Sequence, residues 1–291
     1  MLRRAIVEAK RMFGLHSPGR NLAVFPDDTF LVSFPKSGNT WARFLIANLV
    51  RPNETIDFSN VNSVIPGPEV TRNRDLMRIP RPRIIKSHQY FDPRYKQVIY
   101  IVRDPRDVVV SQYHFQRKRK IVADGFPLSD FVSKFLAGET CFYGSWGEHV
   151  GSWLATRRGQ PGFLLLRYED MVSDSARELA RVASFLGRAC TNEEIDQAVQ
   201  RSSADTMRQL EKSQSQLFTS TKDTRKDIPF VRAAKAGGWR TALSEESAAR
   251  IEEAWGHLIS WLGYEALNGG MQAGNSSERN QQADFLVGPR S

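Results

Sequence analysis

Four short apolar runs constrain the fold of this chain more strongly than any other feature of its sequence. They read FLVSF, RIIKS, VIYIV and FLLL and occupy residues 30–34, 83–87, 98–102 and 163–166. Each run lacks period-two alternation and is followed by a polar or charged cluster. Such runs are typical of strands buried on both faces, as in a parallel sheet covered by helices.

Helical patterns lie between these runs. Apolar spacing predicts helices over residues 41–49, from Pro105 onward, and over residues 128–136, 175–186 and 244–262. The sequence therefore predicts an α/β fold, and a length of 291 residues fits a single domain with a central, mainly parallel sheet flanked by helices. Only about ten residues separate the second and third runs, too few for a crossover helix. Those two strands are either joined by a turn or are not neighbours in the sheet.

We expect three regions along the chain. Residues 1–27 form a basic, helical lead, residues 28–265 the folded domain, and residues 266–291 a disordered tail rich in Gly, Ser, Gln and Asn. Within the domain, the polar segment 207–230 has weak periodicity and is expected to be a long surface excursion, such as a lid or binding loop.

The composition indicates the compartment. No stretch approaches the roughly 18 apolar residues of a transmembrane helix, so we expect no membrane-spanning segment. The two cysteines have neither metal-ligand spacing nor the density of a disulfide scaffold, which favours the cytoplasm. A net charge of +9 indicates anionic partners without choosing among them.

The first apolar run leads into an anion-binding turn. A helix is predicted to begin near Asn39, directly after PKSG, and the unpaired N–H groups at its start favour a phosphate-like anion. The stretch resembles the P-loop pattern G-x-x-x-x-G-K-[ST], except that Asn39 replaces the lysine and the lysine stands at Lys36. Gly38 permits close backbone approach, and Thr40 supplies a hydroxyl. The sequence therefore predicts a P-loop-like phosphate site with a displaced lysine.

The third run adds a second candidate anion site. It ends at Arg103, and Asp104, Pro105 and Asp107 are predicted to be the N-cap, first and capping-box residues of a helix that carries Ser111. Ligands of α/β sheets bind at the carboxyl ends of the strands, so Arg103 is expected at the edge where Lys36 lies. The alternative is a structural salt bridge between Arg103 and Asp104 or Asp107.

The second run contributes Lys86 and His88. Residues at i and i+2 of an extended segment lie on one side, so the two side chains are expected to point the same way. A histidine with a pKa near 6.5 accepts a hydroxyl proton at neutral pH, and a lysine stabilises negative charge. Taken alone, His88 is more typical of an ordinary strand-edge residue than of a general base.

Together these motifs resemble those of the sulfotransferases that use 3'-phosphoadenosine 5'-phosphosulfate (PAPS), of the soluble, cytosolic type. FPKSGNTW is similar to the family's 5'-phosphosulfate loop, Arg103 with Ser111 to its 3'-phosphate element, and KSH to its catalytic strand ending K-x-H. Three further segments agree in order: YGSWGEHVGSW, LLLRYEDM and FVRAAKAGGWR. The resemblance covers residues 28–265, which it identifies as a sulfotransferase domain.

The resemblance implies a role for each matching residue. PAPS would be the co-substrate and 3',5'-ADP the product, with no metal. His88 would be the general base, with Lys86 and Lys36 beside the transferring group. The implied donor-binding residues are Lys36, Ser37, Gly38, Asn39 and Thr40 at the 5'-phosphosulfate, Trp41 and Tyr168 at the adenine, and Arg103, Ser111, Arg232, Ala233 and Ala234 at the 3'-phosphate.

Three departures limit what the resemblance implies. The family reads Arg-Lys-Gly where this chain has Arg232, Ala233 and Ala234, so donor binding there would rely on the arginine and the backbone and be weaker. Ala204 stands where the animal enzymes have a phenylalanine against the adenine, which puts that contact in doubt. The family's dimer segment is not recognisable near the C-terminus, which leaves the oligomeric state open.

Two other functions compete with sulfuryl transfer. A P-loop-type small-molecule kinase would share the strand, cradle and helix, but Ser33 and Asn39 depart from its motif, and ATP needs no second anion site. A non-catalytic protein that binds nucleotides or other anions would suit the basic run 117–120, which is either a solvated face or a frame for an anionic acceptor. Intact Lys36, Lys86 and His88 favour an enzyme, and nucleic acid is not expected as a partner. The acceptor is a small-molecule or glycan hydroxyl, or an amine.

Overall fold

The computed structural model describes residues 22–232 and 235–267. The N-terminal lead up to residue 21, the tail from residue 268, and Ala233 with Ala234 lie outside the described residues.

The described residues form one four-stranded sheet. Its strands are β1 (Thr29–Ser33), β2 (Ile84–Ser87), β3 (Gln97–Val102) and β4 (Phe163–Arg167). They pair in the order β2-β1-β3-β4, and each pair is parallel. β1 therefore separates β2 from β3, so of the two arrangements left open by the short connection, the one in which these strands are not neighbours is present.

Helices cover both faces of this sheet. Within the described residues they are α1 (Asn39–Val50), α2 (Val61–Val64), α3 (Asn73–Leu76), α4 (Pro105–Lys118), α5 (Leu128–Leu136), α6 (Trp146–Arg157), α7 (Tyr168–Ser173), α8 (Ser175–Phe185), α9 (Asn192–Arg201), α10 (Ala204–Gln214), α11 (Trp239–Ala242) and α12 (Glu245–Trp261). All five predicted helices are present, and the predicted α/β fold with a central parallel sheet is confirmed.

Two apolar cores lie on opposite faces of the sheet. Phe30 and Val32 of β1 join a core with residues of α4, α5, α6 and α12, whereas Leu31 joins a second core with residues of α1, α8 and α9. Successive side chains of a strand point to opposite faces, so a strand between two cores is apolar at every position. This explains the absence of period-two alternation in the sequence.

The prediction of a surface excursion over residues 207–230 is wrong in its first part. Helix α10 extends to Gln214, and the side chain of Ser203 caps it by accepting a hydrogen bond from the N–H of Thr206. Met207 and Phe218 are buried in the second core. A helix with so few apolar side chains gives a weak periodic signal, although those few carry the packing.

The start of α4 agrees with the prediction at two of three residues. Asp104 is the N-cap and accepts a hydrogen bond from the N–H of Arg106, and Pro105 follows it at the first helical position. The capping-box assignment of Asp107 is wrong. Its carboxylate accepts hydrogen bonds from the N–H groups of Gly237 (2.7 Å) and Trp239 (2.9 Å), and so anchors a distant segment to α4.

Candidate active site

Three neighbouring strands bring the predicted site residues to one edge of the sheet. Lys36 follows β1, His88 follows β2, and Arg103 follows β3. The guanidinium of Arg103 donates to the backbone oxygen of Lys36 (3.3 Å), and Nδ1 of His88 lies 2.6 Å from the backbone oxygen of Ser33. The predicted convergence at the carboxyl ends of the strands is therefore present in the structure.

The turn between β1 and α1 has the geometry of an anion cradle. Lys36 and Gly38 both adopt positive φ angles, of 72° and 98°, and Gly38 caps α1 without a side chain. A Cβ built on Gly38 would lie 2.5 Å from Cδ2 of Tyr168, so the turn packs directly on that ring. The hydroxyl of Ser37 is fully buried and has no hydrogen-bond partner among the described residues. A buried unpaired hydroxyl beside a helix N-terminus fits a bound oxyanion.

Lys36 brings to this turn an ammonium group whose pKa is far below its usual value. Its ammonium lies 4.2 Å from the ring centre of Phe115 and 4.4 Å from that of Phe230. Burial, reinforced by Arg103 and Arg232, lowers the pKa of Lys36 to about 7. An anion in the cradle would favour the charged form, so the charge of Lys36 is coupled to anion binding.

The side chain of Asn39 points towards the sheet and not into the turn. Its Nδ2 donates to the backbone oxygen of Leu31 (3.3 Å) and to the hydroxyl of Ser33 (3.2 Å). The side chain therefore supports β1, and the backbone N–H of Asn39 is the group available to an anion. Thr40 and Ser111 are half-buried, on α1 and α4 respectively.

His88 is held as a neutral base. Since the backbone oxygen of Ser33 only accepts hydrogen bonds, Nδ1 of His88 carries the proton and Nε2 carries the lone pair. Burial, with Lys86 acting in the same direction, lowers the pKa of His88 to about 3. At neutral pH the ring is uncharged and able to accept a proton at Nε2.

A second histidine, which no sequence motif marks, holds the segment that carries His88. The hydroxyl of Tyr100 donates to Nδ1 of the fully buried His149 (2.9 Å), and Nε2 of His149 donates to the backbone oxygen of His88 (3.1 Å). Trp153, four residues along α6, donates to the backbone oxygen of Gln89 (2.9 Å). The one sequence signal for this pair is its i, i+4 spacing, which puts the side chains of His149 and Trp153 on one face of a helix.

Lys86 lies beside His88 and forms an ion pair. Its ammonium is 3.3 Å from the carboxylate of Glu69, and burial lowers the pKa of Lys86 while Glu69 opposes that shift. No sequence motif marks Glu69, since it lies in the irregular loop between α2 and α3.

The second predicted anion site contains Arg103 and Arg232. Arg103 lies with its guanidinium 4.2 Å from the ring centre of Tyr168 and 3.7 Å from the carboxylate of Asp107. The salt bridge weighed as an alternative is thus present with Asp107, whereas Asp104 pairs with Arg106. Arg232 is half-buried, and burial followed by the charge of Arg103 lowers its pKa. Two guanidiniums brought near each other suit a multiply charged anion.

Aromatic side chains stand next to this site. The indole N–H of Trp41 donates to the backbone oxygen of Ser202 (2.9 Å), and its ring meets that of Tyr168 edge to face at 5.9 Å. Ala204, the first residue of α10, follows two residues after Ser202. The predicted backbone contacts of Ala233 and Ala234 lie outside the described residues.

The described residues contain neither a candidate metal cluster nor a membrane-spanning helix. Among residues 22–232 and 235–267, no cluster of three His, Cys, Asp or Glu side chains is arranged to hold a metal ion. Over the same residues, no helix is both long and apolar enough to cross a membrane.

A parallel α/β fold with an anion cradle, paired arginines and a neutral histidine at one sheet edge defines a group transferase that uses a phosphate-containing donor. The family model of the sulfotransferase domain matches residues 26–263. The chain therefore belongs to the sulfotransferase family and is a sulfotransferase, which confirms the resemblance seen in the motifs.

Individual relatives agree with this assignment. The chain is 31% identical over 243 residues to sulfotransferase 1A1 of Bos taurus, a match that covers 78% of this chain and 81% of the relative. It is 31% identical over 238 residues to 3-beta-hydroxysteroid sulfotransferase of Cavia porcellus, covering 78% and 82%. The crystal structure of mouse sulfotransferase SULT7A1 complexed with PAP superimposes with a TM-score of 0.70 at 23% identity, covering 88% of this chain and 90% of that one.

Proposed function

We propose that this protein transfers a sulfuryl group from PAPS to a hydroxyl or amine acceptor by metal-independent in-line displacement. His88 is the general base, and its geometry carries the proposal. A neutral imidazole with its lone pair on Nε2 lies at the same sheet edge as an anion cradle. PAPS supplies the activated sulfuryl group.

The residues of the cradle suit the 5' end of this donor. Lys36, Ser37, Gly38, Asn39 and Thr40 hold the 5'-phosphosulfate, mainly through backbone N–H groups at the start of α1. The unpaired hydroxyl of Ser37 supports this assignment, because a bound phosphate oxygen would satisfy it. A side chain at position 38 would collide with the ring of Tyr168, so only glycine lets the turn lie this close to that ring.

The remaining predicted residues suit the nucleoside and its second phosphate. Arg103 and Arg232 hold the 3'-phosphate together with Ser111, and the buried Nε of Arg103 has no hydrogen-bond partner within the described chain. Trp41 and Tyr168 border the adenine. The positive charge gathered at these positions suits a donor with phosphates at both ends.

The chemistry requires a base and positive charge but little covalent participation by the protein. His88 accepts the acceptor's proton at Nε2 while Lys86 and Lys36 stabilise negative charge on the transferring group and the leaving phosphate. Sulfuryl transfer should resemble phosphoryl transfer, with a loose in-line transition state. Since SO₃ is neutral whereas metaphosphate is anionic, lysines take the place that Mg²⁺ holds in kinases.

The acceptor is a small molecule. The chain is similar along most of its length to a 3-beta-hydroxysteroid sulfotransferase and to sulfotransferase 1A1, and this supports a small-molecule hydroxyl over a glycan. We infer a cytoplasmic location, which suits such an acceptor, and no nucleic-acid partner. A kinase function is disfavoured because Asn39, at the P-loop lysine position, points into the sheet.

The experiment combines ligand binding with transfer. In thermal shift assays, 3',5'-ADP should raise the melting temperature and ATP with Mg²⁺ should not. A panel of phenols, steroids, aliphatic alcohols, sugars and amines with ³⁵S-labelled PAPS should then yield at least one labelled product, with or without EDTA. Stabilisation by ATP with Mg²⁺ alone, or transfer that depends strictly on Mg²⁺, would exclude the proposed reaction.

A further inference from the structure

The loop between α2 and α3 brings a carboxylate to the carboxyl end of β2, beside His88. The backbone oxygen of its Pro66 accepts a hydrogen bond from the backbone N–H of Lys86 (2.8 Å), so the loop runs along the outer edge of β2. Three residues later, Oε2 of Glu69 lies 3.3 Å from the ammonium of Lys86. Both side chains are mostly buried, with 15% of Glu69 and 17% of Lys86 exposed.

The other oxygen of this carboxylate is also held. Oε1 of Glu69 accepts a hydrogen bond from the hydroxyl of Tyr143 (3.3 Å), whose ring centre lies 5.6 Å from that of His88. Glu69 therefore links the lysine at the end of β2 to an aromatic residue that faces the base.

The loop leaves space for this ion pair. A Cβ built on Gly67 would lie 2.6 Å from Oε2 of Glu69 and 3.1 Å from Cδ of Lys86. A larger residue at this position would force the carboxylate and the lysine stem to move. The backbone shape of the loop and the ion pair are thus adapted to each other.

We propose that Glu69 is a positioning residue for sulfuryl transfer, whose carboxylate holds the Lys86 ammonium beside His88 and balances the positive charge when His88 accepts a proton. This inference rests on the proposed function. It concerns a residue outside the motifs that carry the resemblance to the family.

The need for a counter-charge follows from the proton balance. The acceptor's O–H bond breaks and its proton moves to Nε2 of His88, while the acceptor oxygen bonds to sulfur. The bond between sulfur and the phosphate oxygen breaks, and 3',5'-ADP leaves with the electron pair. The imidazolium so formed lies close to the ammonium of Lys86, and like charges in a buried site disfavour each other. A neighbouring carboxylate offsets that repulsion.

The charges around the pair agree with this role. Burial acts to raise the pKa of Glu69, but Lys86 and His88 outweigh it, and the pKa is below its usual value. Glu69 in turn opposes the lowering of the pKa of both Lys86 and His88. The other groups that face these side chains are Arg43 of α1, which lowers the pKa of Lys86, and His149 of α6, which lowers that of His88. Tyr143 contacts Glu69 as a neutral donor.

The test is Glu69→Gln, which keeps the side-chain shape and removes the charge. We expect kcat to fall by about tenfold or more while KM for PAPS changes little, because the group acts on the reacting centre and not on the donor. Without the carboxylate the pKa values of Lys86 and His88 both fall. Activity requires protonated Lys86 and neutral His88, so both limbs of the pH–rate profile should move to lower pH.

Two further variants separate charge from structure. Glu69→Asp should restore the profile in part, since it restores the charge. Glu148→Gln is the matched control: Glu148 is exposed, and its carboxylate also accepts a hydrogen bond from a tyrosine, Tyr90. Its profile should match that of the wild type. A Glu69→Gln profile of wild-type shape and height would overturn the proposal.

A titration that needs no turnover distinguishes failure of this proposal from failure of the proposed function. The ¹³Cε signal of Lys86, assigned by its absence in Lys86→Arg, should titrate at lower pH in Glu69→Gln than in the wild type. An unchanged titration would overturn the inference even if sulfuryl transfer is confirmed. A wild type that transfers nothing from PAPS would refute the proposed function and with it the catalytic role of Glu69, whatever the titration shows.

Discussion

The backbone at Gly38 has a φ of 98°, in the left-handed region that glycine adopts without strain. The residue also packs on Tyr168 so closely that an added Cβ would lie 2.5 Å from Cδ2 of the ring. Two independent features, the backbone conformation and the contact, therefore require glycine in the anion cradle.

Substitution of Gly38 should disturb both stability and donor binding. We expect Gly38→Ala to lower the free energy of unfolding by about 2–4 kcal/mol, through backbone strain and overpacking. It should also weaken 3',5'-ADP binding, because the cradle must open to admit the methyl group. Urea denaturation and calorimetric titration measure the two effects.

Gly151→Ala is the control for this substitution. Gly151 lies within α6, and a Cβ there meets no described atom within 4 Å beyond its chain neighbours and the backbone of its own helix. The free energy of unfolding should stay the same or rise by up to about 1 kcal/mol. Equal effects of the two substitutions would contradict the account of the cradle.

Single residues were predictable where a local pattern placed them. Lys36, Gly38, His88 and Arg103 follow strands whose apolar runs are visible in the sequence, and Lys86 lies near the end of β2. The rule that ligands bind at strand ends brings them together. Residues whose partners are distant in sequence were not predictable. Asp107 was assigned to a local cap but bonds Gly237 and Trp239, and Glu69 lies in a loop whose path depends on β2.

Helices α4 and α10 together hold the segment that leads to Arg232. Lys118, at the end of α4, is buried and forms an ion pair with Glu211 of α10 (3.0 Å). Its ammonium also donates to the backbone oxygens of Arg225 (2.8 Å) and Ile228 (2.7 Å). Glu211 accepts hydrogen bonds from the N–H groups of residues 230 and 231, directly before Arg232.

Loss of this anchor should loosen the segment and weaken donor binding. We expect Lys118→Gln to raise the Kd for 3',5'-ADP by about tenfold, since removing one partner of a buried ion pair leaves the other uncompensated. Limited proteolysis should cut faster between residues 215 and 232. Lys212→Gln, at an exposed position next to Glu211 on α10, should behave like the wild type. Unchanged affinity and cleavage in Lys118→Gln would show that the segment is held by other contacts.

The basic run at the end of α4 shows what the sequence leaves open at the level of elements. Residues 117–120 suggested a solvated face or a frame for an acceptor, yet Lys118 is interior and Arg117 pairs with Asp124. Four consecutive charges look alike in sequence. Which of these four side chains is buried depends on packing against α10, and the weak apolar periodicity of α10 does not predict a helix there.

Buried histidines make the stability of the whole molecule sensitive to acid. Burial lowers the pKa of His88 to about 3 and that of His149 to about 4. The half-buried His114 is also lowered to about 4, by burial and then by Arg232 and Arg117. In the unfolded chain these side chains take up protons near pH 6.5, well before they do so in the fold. The free energy of unfolding that depends on these neutral histidines is therefore fully present above about pH 6.5 and is lost as the pH falls towards 4.

The free energy of unfolding should consequently fall on mild acidification. Between pH 7 and pH 5 we expect a loss of roughly 2 kcal/mol from His149 alone, measured by urea denaturation at each pH. His149→Gln should reduce this dependence on pH, and a His257→Gln control, at an exposed position, should not. A wild-type stability that is flat over this range would contradict the assignment of neutral, buried histidines.

The fold as a whole was predictable because its signals are local and repeated. Apolar runs without alternation indicate buried strands, and helices between them indicate parallel pairing, whatever the partners of any single residue. The sequence limited the order of the strands without determining it. The short connection after β2 left two arrangements open, and the structure has the one in which β1 separates β2 from β3.

Transfer by a His88→Ala variant is the most direct measurement of the central claim, sulfuryl transfer from PAPS with His88 as the base. With ³⁵S-labelled PAPS, EDTA and the best acceptor of the wild type, the single-turnover rate of this variant should fall by roughly 10²–10⁴-fold. The affinity for 3',5'-ADP should remain close to that of the wild type, because the base does not hold the donor. A variant that transfers sulfate at the wild-type rate at neutral pH would contradict the account.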